Sequence, residues 1–167
     1  VSEEDSNRHF QLVMRHLKDA GYNQYEISNY ALPNFESRHN SAYWTGEEYL
    51  GIGPSAHSFN GHQRWWNVRS NAAYIKAIGE GNLPSESETL STIDLFNEAI
   101  MLGLRTREGI RSGRLDEIRP GASAEFLLCA QPFIEAGQIE QIGETLRLTT
   151  QGKSVADRLA SDLFFND

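Results

Sequence analysis

One cysteine, Cys129, is all the thiol chemistry that these 167 residues offer. It excludes an internal disulfide and any iron–sulfur cluster held by this chain alone, since such a cluster takes several thiolates from its protein. Its setting in FLLCAQPF reads as an inert, buried thiol. Positive charge is also short: 15 Lys and Arg stand against 23 Asp and Glu, a formal net charge of −8. Divided near Pro84, the first part carries −2 and the second −6. Neither part has the basic face that a nucleic-acid partner requires. No apolar run approaches the roughly 18 residues of a membrane-spanning helix, and the N-terminus lacks the basic-then-apolar pattern of a signal peptide. A soluble protein of the cytoplasm without a transmembrane segment is expected, and the start at Val1 without an initiator Met reads as a processed or truncated product.

What is present alternates between helix and strand signals. Ser2 is a suitable N-cap for a helix over about 3–20, with Phe10, Val13, Met14 and Leu17 on one apolar stripe. QYEIS follows as a strand, with Tyr25 and Ile27 on one face and Glu26 and Ser28 on the other. Ser37 can cap a helix running to about Tyr49, YLGIG reads as a short strand, and Asn60-Gly61 marks a turn before a strand QRWWNVR. A helix over about 71–78 leads to GEGNLPSESET, poor in apolar residues and expected as a linker between residues 1–83 and 84–167. Beyond it we expect a helix over 92–104, a turn-rich EGIRSG stretch and a helix over 124–136. A two-strand wing (138–142 and 145–148) and a helix to about Phe164 complete a winged-helix-like ending.

The segment from Tyr25 to Phe59 concentrates the residues that carry chemistry. On a helix, His39 and Tyr43 share one face and Asn40 and Trp44 the next, giving an imidazole flanked by flat rings. Such a surface suits haem, with His39 as a candidate ligand of its iron, or simply a helix docking its aromatics on a core. GIGPSA nominally fits a dinucleotide fingerprint but lacks the helix and the acidic residue that the fingerprint needs. What remains is a backbone narrowed at Gly51 and Gly53, where a ligand or another chain segment can come close. His57 and His62, five residues apart across a turn, make a two-imidazole metal pair conceivable but incomplete. Glu26, at a strand end, suits either a substrate polar group or a structural hydrogen bond to a nearby loop. The helix preceding the wing has no Arg or Lys, which disfavours DNA recognition and leaves a partner-binding or structural module.

YEISNYA, SRHNSAYW, EEYLGIGPSAHSF and RWWNV, with GLRTREGI and IEQIGETLRLTTQGKSVADRL further on, resemble the oxygen-independent coproporphyrinogen III oxidase-like family of the radical S-adenosylmethionine superfamily, in its haem-chaperone branch. The resemblance implies an α/β fold: the last strands and helices of a partial TIM-type barrel, then a helical, winged-helix-like domain. It implies S-adenosylmethionine and a 4Fe-4S cluster, whose Cys-x-x-x-Cys-x-x-Cys ligands are absent here, so the chain is expected to be the C-terminal part of a longer protein and inactive alone. The family's HNxxYW motif falls on His39, Asn40, Tyr43 and Trp44 and implies haem binding. Its glycine loop falls on Gly51, Gly53 and Ala56, and His57 takes a position that is apolar and faces S-adenosylmethionine in related oxidases. Haem or porphyrin is the implied partner. The haem-accepting protein is not identified by the sequence, and barrel edges without their neighbours favour a homo-oligomer. Haem chaperone, oxidase and winged-helix interaction domain are the three functions carried forward.

Overall fold

A computed structural model describes residues 2–165, apart from the Glu3 side chain. The fold is mixed α/β, with three small sheets in which every pairing between strands is antiparallel. Helix α1 (Glu3–Asp19) starts where Ser2 Oγ accepts from the Asp5 amide. Of its expected stripe, Phe10, Met14 and Leu17 are half-buried, whereas Val13 is exposed.

Strands β1 (Asn23–Glu26) and β2 (Asn29–Ala31) form a tight hairpin with a register shift between Gln24 and Glu26. That irregularity undoes the simple alternation expected of QYEIS: Tyr25, Glu26 and Ile27 are all buried. Helix α2 (Arg38–Thr45) is capped by Ser37 and stops at Gly46, whose φ of 70° breaks the helical path before the expected end near Tyr49. YLGIG is not a strand. Only Tyr49 pairs, through an isolated bridge to Phe59, and Leu50 and Ile52 are exposed.

Strands β3 (His57–Phe59) and β4 (Gln63–Asn67) flank the expected Asn60-Gly61 turn, where Asn60 Oδ1 accepts from the amides of His62 and Gln63. Helix α3 (Asn71–Gly79) follows. Residues Ser85–Thr89, expected as linker, are strand β5, paired residue for residue with β4. All five are exposed. The backbone ladder holds this strand, and composition gives no sign of it.

The apolar core lies mainly after residue 90. Helix α4 (Thr92–Arg105) begins with a reciprocal capping box between Ser91 and Asp94 and buries Phe96, Ile100 and Leu104. The turn-rich stretch contains strand β6 (Ile110–Arg111) and helix α5 (Ser112–Ile118). Helix α6 (Ala122–Glu135) buries Ala122, Phe126 and Ala130, a single face four residues apart. Cys129 therefore lies off that face and is exposed, contrary to the inert buried thiol expected from its apolar neighbours. Strands β7 (Ile139–Ile142) and β8 (Thr145–Leu148) complete a sheet of order β6-β8-β7. The last helix is two pieces, α7 (Thr150–Lys153) and α8 (Ala156–Asp162), because Val155 leaves helical geometry at φ −130°. No described helix is long and apolar enough to cross a membrane.

Candidate functional site

Helix α2 delivers the expected ring pair. His39 and Tyr43, one turn apart, meet edge-on with centroids 5.0 Å apart and an interplanar angle of 84°. The aromatic series continues to Tyr49 at 4.7 Å and from there to Phe59 at 6.1 Å. His39 is exposed, and its imidazole makes no hydrogen bond among the described residues. It is free to meet an incoming group. Asn40 instead turns toward the hairpin, its Nδ2 donating to Tyr25 Oη at 3.3 Å.

Trp44 lies under the Arg105 guanidinium, 5.2 Å from ring centroid to Cζ, and its buried Nε1 donates to no atom of the structure. Glu26 is engaged on both oxygens. Oε2 accepts from the Ser28 amide and Asn29 Nδ2, and Oε1 accepts from Arg105 Nε and Nη2 at 3.0 and 2.9 Å. Its side chain is 1% exposed, with both oxygens held by donors of this chain.

A groove of about 1180 Å³ opens between α2 and the α4–α5 side of the molecule. Tyr43, Trp44, Tyr49 and Phe59 give it an aromatic wall, and Arg64, Arg107, Arg111 and Arg114 enter it with Glu36, Glu98 and Glu117. Arg64 pairs with Glu98, Arg107 with Glu36 and Arg114 with Glu117; among the described residues Arg111 has no carboxylate partner. Burial pushes the Tyr49 phenol above its ordinary range, with Arg64 acting against the shift. Arg64 comes from β4, whereas Arg107, Arg111 and Arg114 fall within eight consecutive residues around β6, a local cluster that the sequence reading did not single out.

The glycine loop is arranged differently from the aromatic helix. A Cβ on Gly51 would stand 2.1 Å from the His57 carbonyl oxygen, so the close approach is made by the chain itself. The Gly51 amide donates to Ser58 Oγ at 2.9 Å. Gly53, at φ 104°, faces open space, and its carbonyl accepts from Asn67 Nδ2 at 2.9 Å. Asn67 also donates its amide to the Ala56 carbonyl, at 3.0 Å. Buried Ser58 and Asn67 are thus the loop's clamps, and the sequence reading missed both. His57 stands opposite Trp66 and borders a second, smaller recess of about 370 Å³ with Ser55, Asn67 and Arg69. The hairpin separates His57 from His62, which sits in the turn, and no group of three metal-ligating side chains exists among the described residues. The site residues accordingly fall in two places: Tyr43 and Trp44 on the groove with His39 beside them, and His57 on the small recess.

The donor set bears on the family cofactors in opposite ways. An exposed imidazole set edge-on to the Tyr43 ring fits a haem iron ligand. One exposed thiol on α6 does not fit a four-iron cluster.

The HemN C-terminal domain family matches residues 90–155. The haem chaperone HemW of Mycobacterium tuberculosis is 34% identical over 155 residues, covering 92% of this chain and 38% of that protein. HemW of Bacillus subtilis is 32% identical over 160 residues, covering 94% and 42%. The mitochondrial radical S-adenosyl methionine domain-containing protein 1 of Danio rerio is 30% identical over 154 residues, covering 86% and 34%. Among solved structures, coproporphyrinogen III oxidase (HemN) of Escherichia coli, a radical SAM enzyme, shares the fold with a TM-score of 0.67 at 18% identity, covering 92% of this chain and 39% of that one. The chain spans about two-fifths of the length of these relatives. With its HemN C-terminal domain and its similarity to HemW along nearly its whole length, the chain belongs to the HemW and HemN-like family of the radical SAM superfamily.

Proposed function

We propose that this chain supplies the haem-contact helix and the C-terminal unit of a haem chaperone working in the cytoplasm. The observation that carries the reading is the His39–Tyr43 ring pair on α2, whose Tyr43 lines a groove walled by further aromatics. His39 is the candidate iron ligand, Tyr43 and Trp44 contact the macrocycle, and Asn40 holds α2 to Tyr25. A groove that presents both rings and arginines suits a planar tetrapyrrole bearing carboxylates. Haem, when bound, would supply an iron open to exchange with an acceptor protein; the chain's own residues bind and orient it.

Gly51, Gly53, Ala56 and His57 are proposed to border the S-adenosylmethionine of the whole protein, and Glu26 to stand near it as a buried support. The three-cysteine motif for the cluster would lie outside this chain, which contributes no thiolate to it. Residues 1–83 are read as the end of a partial barrel and 84–167 as a winged-helix-like unit, with β5 reaching back to β4. The order α4-β6-α5-α6-β7-β8 and the sheet order β6-β8-β7 support the second reading.

The test uses the intact protein. Purified protein titrated with haem should give a saturable Soret change, and the same preparation incubated anaerobically with S-adenosylmethionine, reductant and coproporphyrinogen III should release no carbon dioxide. Measurable decarboxylation would replace the chaperone with the oxidase.

A further inference from the structure

Arg105 ends α4, and its guanidinium reaches three elements at once. Nε and Nη2 form a fork on Glu26 at 3.0 and 2.9 Å, Nη1 donates to Asp157 of α8 at 2.5 Å, and Cζ lies 5.2 Å from the Trp44 ring centroid. The backbone reinforces the junction, since the Ile27 amide donates to the Arg105 carbonyl at 3.0 Å and the Arg107 amide to the Tyr25 carbonyl at 3.1 Å. Glu26 has its other oxygen committed to the hairpin, so the guanidinium plane is fixed by the fork and cannot swing away from the indole.

Helix α2 needs such an anchor. It has eight residues and buries none of them fully, which leaves little stability of its own. Its contacts set its orientation, chiefly Asn40 with Tyr25 and Trp44 with Arg105. Trp44 and His39 lie five residues apart on one short helix, about 140° apart around its axis, and a rotation of the helix that moves the first moves the second. A guanidinium is suited to the task because it can stack flat on an aromatic ring while still forming its fork, which a lysine ammonium cannot do.

We propose that Arg105 is a positioning residue: by holding Trp44 it sets how α2 presents His39 and Tyr43, so that the C-terminal unit governs haem affinity without touching haem. The proposal rests on the haem reading of α2. Its test is a double-substitution cycle in the intact protein, with haem affinity and Soret maximum measured for wild type, Arg105→Lys, Trp44→Phe and the pair. Arg105→Lys should weaken haem binding about three- to tenfold and move the Soret maximum while far-ultraviolet circular dichroism stays unchanged. In the Trp44→Phe background the same change should cost less than about twofold, because the contact through which it acts is already weakened. Glu26→Gln, which loosens the fork but keeps the guanidinium, takes the place of Arg105→Lys in the cycle if that variant does not fold. Additive effects, or wild-type affinity and spectrum in the single variant, would overturn the role of Arg105 alone. A wild-type protein that takes up no haem would overturn the haem reading and this proposal with it.

Discussion

Substituting Gly51 with alanine tests the loop geometry directly. The new Cβ would stand 2.1 Å from the His57 carbonyl oxygen and 2.9 Å from Ala56 Cβ, and the nearest of these obstacles is backbone rather than the end of a flexible side chain. The two segments must separate, which costs about 1–3 kcal/mol as overpacking. Separation also breaks the bond from the Gly51 amide to Ser58 Oγ, and Ser58 is only 1% exposed, so a buried polar atom loses its partner at a further cost of about 1–3 kcal/mol. A total near 3 kcal/mol is expected in urea unfolding followed by tryptophan fluorescence, since Trp66 sits directly across from His57. Gly79→Ala is the control. It lies at the end of α3 with open space around its Cβ position, and should stabilise by about 0.5–1 kcal/mol. If Gly51→Ala unfolds within about 0.5 kcal/mol of wild type, the reasoning from close approach is wrong.

Three other outcomes follow from the structure. Glu26→Ala removes the buried fork on Arg105, leaving the exposed Asp157 as the only carboxylate on its guanidinium among the described residues, and should cost about 1.5–3 kcal/mol in chemical denaturation, more than Asp157→Ala, whose carboxylate is 86% exposed. Asp94 and Asp116 are held below their ordinary value of 3.8 by hydrogen bonds from the side chain and backbone of Ser91 and Ser123, respectively. Their folded pKa values are depressed, so the stabilisation is present above about pH 4 and is lost as pH falls through the folded values; the Asp94→Asn, Asp116→Asn double variant should show a shallower acid decline in melting temperature. Cys129, being exposed, should react fully with a thiol reagent in the native protein, and slow reaction requiring denaturant would contradict its placement on α6.

How much of this was legible depended on how local each signal was. The caps Ser2 and Ser37 marked two helix starts, because an N-cap acts within one turn. The 139–148 hairpin followed from two short apolar runs around Gly143-Glu144. Strand β5 was hidden because its exposed polar side chains contribute nothing and its pairing is all backbone. The side of α6 on which Cys129 falls was misjudged because apolar residues occupy both faces, with Leu128 exposed beside it. In the site, the His39–Tyr43 and Asn40–Trp44 spacings could be read from helical periodicity alone. The anchor of Trp44 could not: Arg105 lies 61 positions beyond it, and a contact at that separation leaves no pattern in either segment.

The most direct test of the central claim is a haem titration of the intact protein with and without His39→Ala, followed at the Soret band. The account predicts a saturable, ligated spectrum for wild type, and for the variant a shifted Soret maximum with affinity lowered by about tenfold or more. An identical spectrum and affinity in the two proteins would contradict it.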